Sequence, residues 1–442
     1  MKKDRINSLL RSFVKTELSP TQDDIIFVSK LYQSFNELLG TNNCIQIGSY
    51  PRYTAVKPMH DLDILYIIGD WNSANIIPKQ LLTELAERFE KEYKNPTSYK
   101  LNIEVQTHSI SFKYMLNENE IFAVDLVPAL KSGINEFGKS MFYVPEIIKF
   151  HRGNKRADYY KNAIETHKSI DWIKTDPIGY IEVAASINKQ NKDFRKSVKF
   201  VKGWKNAAKT KNENFKLKSF HLEQLITRDY KINSSLEIFD SIFNFFTNLK
   251  KDIESPNIRD RADGTKYIDN YIKDITSSER ELIHQAIDAI LIAFEEINEQ
   301  TNIKDIIQSG FYIRQSSMEN FLFDQKIPIL IDSDYTLLID GFVEKLDGFR
   351  KYHANLKNAG GVVDTKNSID FKVVTNNTNS QVLKWKVKND NTCSEPRGEI
   401  NDNKTSNNPE KTAFIGKHYV DCFAIKNNVC VARDRVNVIV RQ

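Results

Sequence analysis

Apolar residues recur at helical spacing through residues 23–39 (DDIIFVSKLYQSFNELL), and the pattern stops at Gly40, a helix C-cap signal. Five short runs follow: CIQIG, DLDILYII, LNIEVQ, SISFKYM and IFAVDLV. Each is rich in β-branched and aromatic residues and bounded by polar or turn residues, which predicts strands. A helical pattern at 79–93 separates the second run from the third. Residues 1–180 therefore predict a mixed sheet with helices on one side. Residues 181–315 read as helices throughout, with Ser278 and Glu281 forming an S-x-x-E capping box ahead of LIHQAIDAILIAFEEI. From 316 to 442 the pattern turns to strands again: FDQKIPILI, YTLLIDGFV, DFKVVT, VLKWKVKN, HYVDCFAI and VCVARDRVNVIV, with a break at Gly360 and Gly361. Asn427 and Asn428 fit a two-residue hairpin turn. That turn sets Ile425 opposite Cys430 and puts Cys422 on the other face, which excludes a disulfide between the two cysteines. The polar run NDNKTSNNPEK (401–411) reads as a mobile loop. The expected fold class is α/β in the α+β sense: a mixed sheet, a helical domain, and a small all-β C-terminal domain.

Composition narrows the function. The 442 residues carry a net charge of +5 from 63 basic and 58 acidic side chains, too even for stable nucleic-acid binding to be expected. Much of that surplus sits in residues 361–442, where 13 Lys and Arg face 9 Asp and Glu. No apolar run approaches the roughly 18 residues of a membrane span. The basic start MKKDRINSLLRSFVK places Arg11 and Lys15 where a signal peptide needs an unbroken apolar stretch. Four cysteines with no CxxC pair suggest neither a zinc knuckle nor a disulfide scaffold. The expectation is a cytoplasmic, multidomain protein with no membrane partner.

The chemistry concentrates in IQIGSYPRYTAVKPMHDLDILYII. Gly48 and Ser49 end one strand, and Asp61 and Asp63 open the next. Residues i and i+2 of a strand share a face, so the two carboxylates lie close together at the start of an apolar strand. Such like charges repel strongly unless a cation lies between them. Magnesium, an oxygen-seeking ion commonly shared with substrate phosphates, is the natural partner. Gly48 lets the backbone approach a phosphate, and Ser49 adds a hydroxyl donor. Asp125, an acid inside the apolar strand FAVDLVP, would complete a two-metal centre for phosphoryl or nucleotidyl transfer. His60, beside the acids, reads as a surface histidine.

QIGSYPRYTAVKPMHDLDIL resembles the motif of polymerase-β-type nucleotidyltransferases, and more narrowly that of the CD-NTases, bacterial relatives of cyclic GMP-AMP synthase and oligoadenylate synthase. FVKGWK resembles the family's lysine helix, KLKSFHLEQL its serine helix, and TDPIGYIE the link between its two lobes. The resemblance covers about residues 20–315. It implies that Asp61, Asp63 and Asp125 are catalytic and bind two Mg2+ ions, with Mn2+ able to substitute. It implies that Gln46, Gly48, Ser49, Lys202 and Ser219 hold an NTP, ATP or GTP among them. The product would be a cyclic di- or trinucleotide in bacterial antiviral (CBASS) signalling, acting on a separate effector protein. On the residues alone, Lys202 also reads as part of a solvated basic face with Arg195, Lys196, Lys199 and Lys205. Transfer to an RNA, protein or small-molecule acceptor, or an inactive scaffold, stays open too. Nucleotide choice, linkage, ring size and oligomeric state are not written in any motif.

WKVKN, PRGEI, GKHYVDC and CVARDR resemble the adenylyl/guanylyl cyclase and SMODS C-terminal sensor (AGS-C) domain. The resemblance implies nucleotide contacts by Trp385, Arg397, His418 and Arg433. Trp385 in its alternating strand also suits a core position, and Arg433 and Arg435 flanking Asp434 also suit a charged edge strand.

Overall fold

The five predicted strands of the first part, with two more at 140–146 and 171–175 that the pattern did not predict, assemble, in the computed structural model, into one seven-stranded sheet. The structure describes residues 2–71, 76–146, 171–347 and 350–442. The strands are β1 (Cys44–Ile47), β2 (Asp61–Asp70), β3 (Lys100–Val105), β4 (Ile110–Leu116), β5 (Asn119–Ile134), β6 (Ser140–Glu146) and β7 (Asp171–Thr175). Their order is β1-β2-β5-β4-β3, with β6 pairing β5 and β7. The β2–β5 pair is parallel and β1–β2 and β4–β5 are antiparallel, so the sheet is mixed as expected.

Helix α1 (Lys2–Phe13) precedes α2 (Gln22–Leu39), which starts at a Thr21–Asp24 capping box, and α3 (Pro78–Glu92) follows β2. Val28, Leu31 and Phe35 of α2 and Leu82 and Phe89 of α3 pack on Leu62, Ile64, Phe112, Val124 and Leu126 of the sheet. Alternation then sends Asp61, Asp63 and Asp125 to the opposite face. That face is not bare: Ile178 of α4 (Pro177–Gln190) packs there against Leu65, Ala129, Phe142 and Val144. Asp176 caps α4 by accepting from the Gly179 amide at 2.9 Å, so TDPIGYIE does join the sheet to the helices.

The helical part comprises α4, α5 (Asp193–Lys211), α6 (Ser219–Ile232), α7 (Ile238–Asp252), α8 (Ser277–Glu295) and α9 (Ile303–Ile307). Ile6 and Leu10 of α1 are buried in its core beside Phe200, Trp204, Phe246 and Phe294, so the N-terminal helix belongs to this body. Two expectations are corrected here. The capping box of α8 is Thr276 with Glu279, one overlapping pattern earlier than Ser278–Glu281, because the helix already begins at Ser277. Residues 253–276 are largely irregular apart from a tight turn at Asn270–Asp274, a stretch opened by Pro256 and fastened by Asp269, which accepts from the Asn257 and Ile258 amides.

The C-terminal part is a two-sheet sandwich. One sheet has β10 (Val362–Asp364), β16 (Val429–Arg441), β15 (Gly416–Lys426), β12 (Val382–Lys388) and β13 (Ile400–Asp402); the other has β14 (Glu410–Lys411), β11 (Ser368–Asn376), β8 (Leu337–Asp347) and β9 (Arg350–Asn355). Asn427 and Asn428 both take positive φ, 50° and 60°, as the hairpin requires, and Ile425 pairs with Cys430. Cys422 lies in the sandwich core and Cys430 in a separate cluster, and both thiols are unbridged. FDQKIPILI does not form a strand: Leu322–Gln325 is a single tight turn, and Ile329 makes one isolated bridge to Cys430. Pro328 has no N–H to extend that ladder. The polar run 401–411 is also not the free loop expected. It ends in β14, its Thr405 and Glu410 are buried, and Glu410 grips Arg397. Among the described residues no helix is long and apolar enough to cross a membrane.

Candidate active site

Strand β1 runs into a tight turn over residues 48–54, closed by the Thr54 amide on the Ser49 carbonyl at 3.0 Å and the Tyr53 amide on the Tyr50 carbonyl at 2.9 Å. Gly48 has φ +75°, and a Cβ placed there would lie 1.9 Å from Asp63 Oδ2. Only glycine fits that close approach. Ile47 pairs with Asp63 across β1–β2, while in the parallel pair β2–β5 Asp63 stands beside Asp125 and Asp61 beside Ala123. The three carboxylates thus share one patch under the turn. Burial, then the charges of Asp61 and Asp125, push the Asp63 carboxyl up to about 7, against the opposing pull of Arg52. Burial also raises Asp125, which keeps one stabilising hydrogen bond from Ser111. Its Oδ1 is buried and has no hydrogen-bond partner among the described residues.

These observations fit a divalent cation: crowded carboxylates short of positive charge, one orphaned oxygen, and a turn stripped of side chain directly above. Among the described residues the acids are not drawn into a closed three-ligand cage.

Gly48, Ser49, Asp61, Asp63, Lys202 and Ser219 line one cleft of about 1380 Å³, with Asp125 behind Asp63. Ser219 is the first residue of α6, so the cleft also receives a helix N-terminus, a favourable place for an anion. His60 lies exposed at the rim, as expected. Gln46 is not brought in. It pairs with Ile64 and shares that residue's face, which is packed under α2, away from the acids.

Lys202 is not on a solvated face. It is 3% exposed, and its Nζ donates to Glu223 Oε2 at 2.6 Å and to the carbonyl and hydroxyl of Thr54, each at 3.1 Å. Arg52 forms a second ion pair to Glu223, at 2.6 and 3.3 Å. Burial alone would raise the Glu223 carboxyl, but the flanking Arg52 and Lys202 hold it down at about 2.

The four residues expected to contact a ligand in the sandwich are not gathered. Arg397 and His418 line a cavity of about 590 Å³ at one end. The Arg397 guanidinium is already held by Glu399 at 2.6 Å and Glu410 at 2.7 Å. His418 accepts from the Asp390 amide at Nδ1 and donates from Nε2 to the Phe414 carbonyl, and burial lowers its pKa, so the ring is neutral. Trp385, 3% exposed, is a core residue of the sandwich and offers no stacking surface. Arg433 reaches the helical body instead, pairing with Glu296 at 2.5 Å just past α8.

Residues 316–441 match the family model of the adenylyl/guanylyl and SMODS C-terminal sensor domain. The sandwich is an AGS-C domain. The chain is also similar to the cyclic AMP-AMP-AMP synthase of Escherichia coli (strain MS 115-1), at 24% identity over 185 residues. The match covers 42% of this chain and 49% of that protein, so the chain spans about half the length of the curated relative it matches. Among solved structures, E. coli MS115-1 CdnC in complex with HORMA-deltaN is 16% identical over 71% of this chain and 99% of that one, with a TM-score of 0.46. Elizabethkingia meningoseptica CdnE cyclic dinucleotide synthase with GTP and Apcpp is 13% identical over 56% and 84%, with a TM-score of 0.38.

Sequence reading missed Arg52, Thr54 and Glu223. Two signals were available: Arg52 and Thr54 fall inside the Gly-Ser stretch, and Glu223 follows Ser219 at i+4, the same helix face. In the AGS-C domain it missed Glu399 and Glu410, which neutralise Arg397.

Proposed function

We propose that this chain is a metal-dependent nucleotidyltransferase that joins NTPs into a cyclic di- or trinucleotide. The observation that carries this reading is the Asp63–Asp125 pair with Asp61, set beneath the Gly48–Ser49 turn at the edge of a large cleft with basic walls. Asp61 and Asp63 would hold two magnesium ions, which manganese can replace, and Asp125 would share one of them. Bound there, the metal would neutralise triphosphate charge and lower the pKa of the acceptor hydroxyl. Asp125, beside Asp63 at one rung of β2–β5, can take the proton of the acceptor ribose hydroxyl. The amides of Gly48 and Ser49 and the N-terminus of α6 at Ser219 would hold the donor triphosphate and align its α-phosphate for attack. Lys202 supplies positive charge below them.

The similarity to a cyclic AMP-AMP-AMP synthase supports a cyclic product. In this reading the AGS-C domain responds to a nucleotide, the protein works in the bacterial cytoplasm, and its product activates a separate effector in antiviral (CBASS) defence. The test is synthesis by the purified full chain from four NTPs, one labelled on its α-phosphate, with magnesium or manganese and subsequent phosphatase treatment. A phosphatase-resistant product that an Asp61→Asn, Asp63→Asn variant fails to make is the expected result. Label that moves only onto an added RNA or protein acceptor would overturn the cyclic product.

A further inference from the structure

Three consecutive residues of the 48–54 turn are each gripped by the helical body. Arg52 makes its two-point ion pair with Glu223 of α6. The Tyr53 ring lies under the Arg195 guanidinium of α5 at 4.6 Å. Thr54 donates its hydroxyl to Glu223 at 2.9 Å and receives Lys202 from α5. Tyr53 has φ 59°, a left-handed conformation that a bulky residue keeps only where its surroundings impose it. Glu223 is the hub. Its carboxylate, 1% exposed, accepts from Arg52, Thr54 and Lys202 at once, and all three Lys202 protons are committed to Glu223 and Thr54.

We propose that Glu223 is a positioning residue that clamps residues 52–54 onto α5 and α6 and so presets the turn that receives a nucleotide polyphosphate; the ligand class rests on the function proposed above. Glu223 lies too deep to touch the reacting groups and acts through its partners. Arg52 and Lys202 against Glu223 leave one surplus positive charge in the clamp, which offsets part of the negative charge of Asp61, Asp63 and Asp125 beneath the same turn. The clamp spans the sheet and the helical body, so relative motion of the two changes the turn that holds the phosphates.

The experiment uses the full-length protein with Glu223→Gln, which keeps size and shape, and Glu223→Asp, which keeps charge. Amide exchange of Tyr53 and Thr54, thermal melting, and equilibrium binding of a non-hydrolysable ATP analogue are measured together. Glu223→Gln should speed exchange at those two amides and weaken the analogue by about tenfold, the scale of one lost charged hydrogen bond. In turnover the loss should fall on KM with kcat nearly unchanged, and Glu223→Asp should recover part of it. Unchanged exchange at the two amides, or exchange that rises uniformly over α5 and α6 with a collapsed melting temperature, would overturn the clamp. If the parent protein binds no nucleotide, the proposed function fails, and the exchange result alone decides the clamp.

Discussion

Asp63 and Asp125 stand side by side at one rung of the parallel pair β2–β5, and the main chain of Gly48 closes over Asp63. Two carboxylates in such a place hold a repulsion that a bound cation or a proton relieves. The folded Asp63 carboxyl, at about 7, sits above its ordinary 3.8. The native state therefore keeps this proton longer than the unfolded chain does, and stability falls as pH rises through that interval. Without divalent ions, Asp63→Asn should raise the melting temperature at pH 8 and flatten that slope, by up to about 4 kcal/mol for the full shift. Magnesium should raise the melting temperature of the parent protein and leave the variant unmoved. Scanning calorimetry at several pH values with and without the ion checks both.

Gly48→Ala should damage fold and site together. The new methyl would overlap Asp63 Oδ2, and the positive φ would be strained as well. A loss of about 2 kcal/mol or more by chemical denaturation is expected, together with loss of nucleotide binding.

In the AGS-C domain, Trp385→Ala and Arg433→Ala should separate cleanly. Removing the buried indole should cost about 3–5 kcal/mol in the sandwich. Removing the Arg433 partner of the exposed Glu296 should cost under about 1 kcal/mol. Urea titrations followed by far-ultraviolet circular dichroism distinguish the two, since Trp385 is the one tryptophan of residues 316–442.

The overlapping capping patterns of α8 give a simple comparison. Thr276→Ala should cost about 1 kcal/mol, because the Thr276 hydroxyl accepts the Glu279 amide. Ser278→Ala, inside the first turn, should stay within about 0.5 kcal/mol. Paired thermal melts decide it.

What could be read in advance followed from short-range periodicity. Strand alternation located Asp61 and Asp63 on one face, because a period of two is a local property of the chain, whereas Asp125 joins them through the β2–β5 register. Alternation could not say whether Trp385 faced a ligand or a core, since it separates two faces without naming what covers either. Glu223 and Arg52 are 171 residues apart, and Arg433 and Glu296 are 137 apart. Such pairings arise only when separate bodies dock, and no local pattern carries them. The resemblance implies that Gln46 holds an NTP, yet the pleat that brings Asp63 to the cleft turns Gln46 away.

The segment between the helical body and the first sandwich strand divides its side chains between two neighbours. Phe321, Phe323 and Leu330 insert into the helical core, while Leu322, Ile327 and Ile329 pack with Phe423, Ile425 and Cys430. Such a stretch behaves as a stitched seam, unlike a flexible tether. A gene fusion or truncation cut inside 321–330 would leave greasy surface on both fragments. One cut at strand β8 would deny the sandwich half of its smaller cluster. A piece that begins ahead of residue 321 keeps the smaller cluster of the sandwich whole but still bares Phe321, Phe323 and Leu330, and the AGS-C match itself opens at 316.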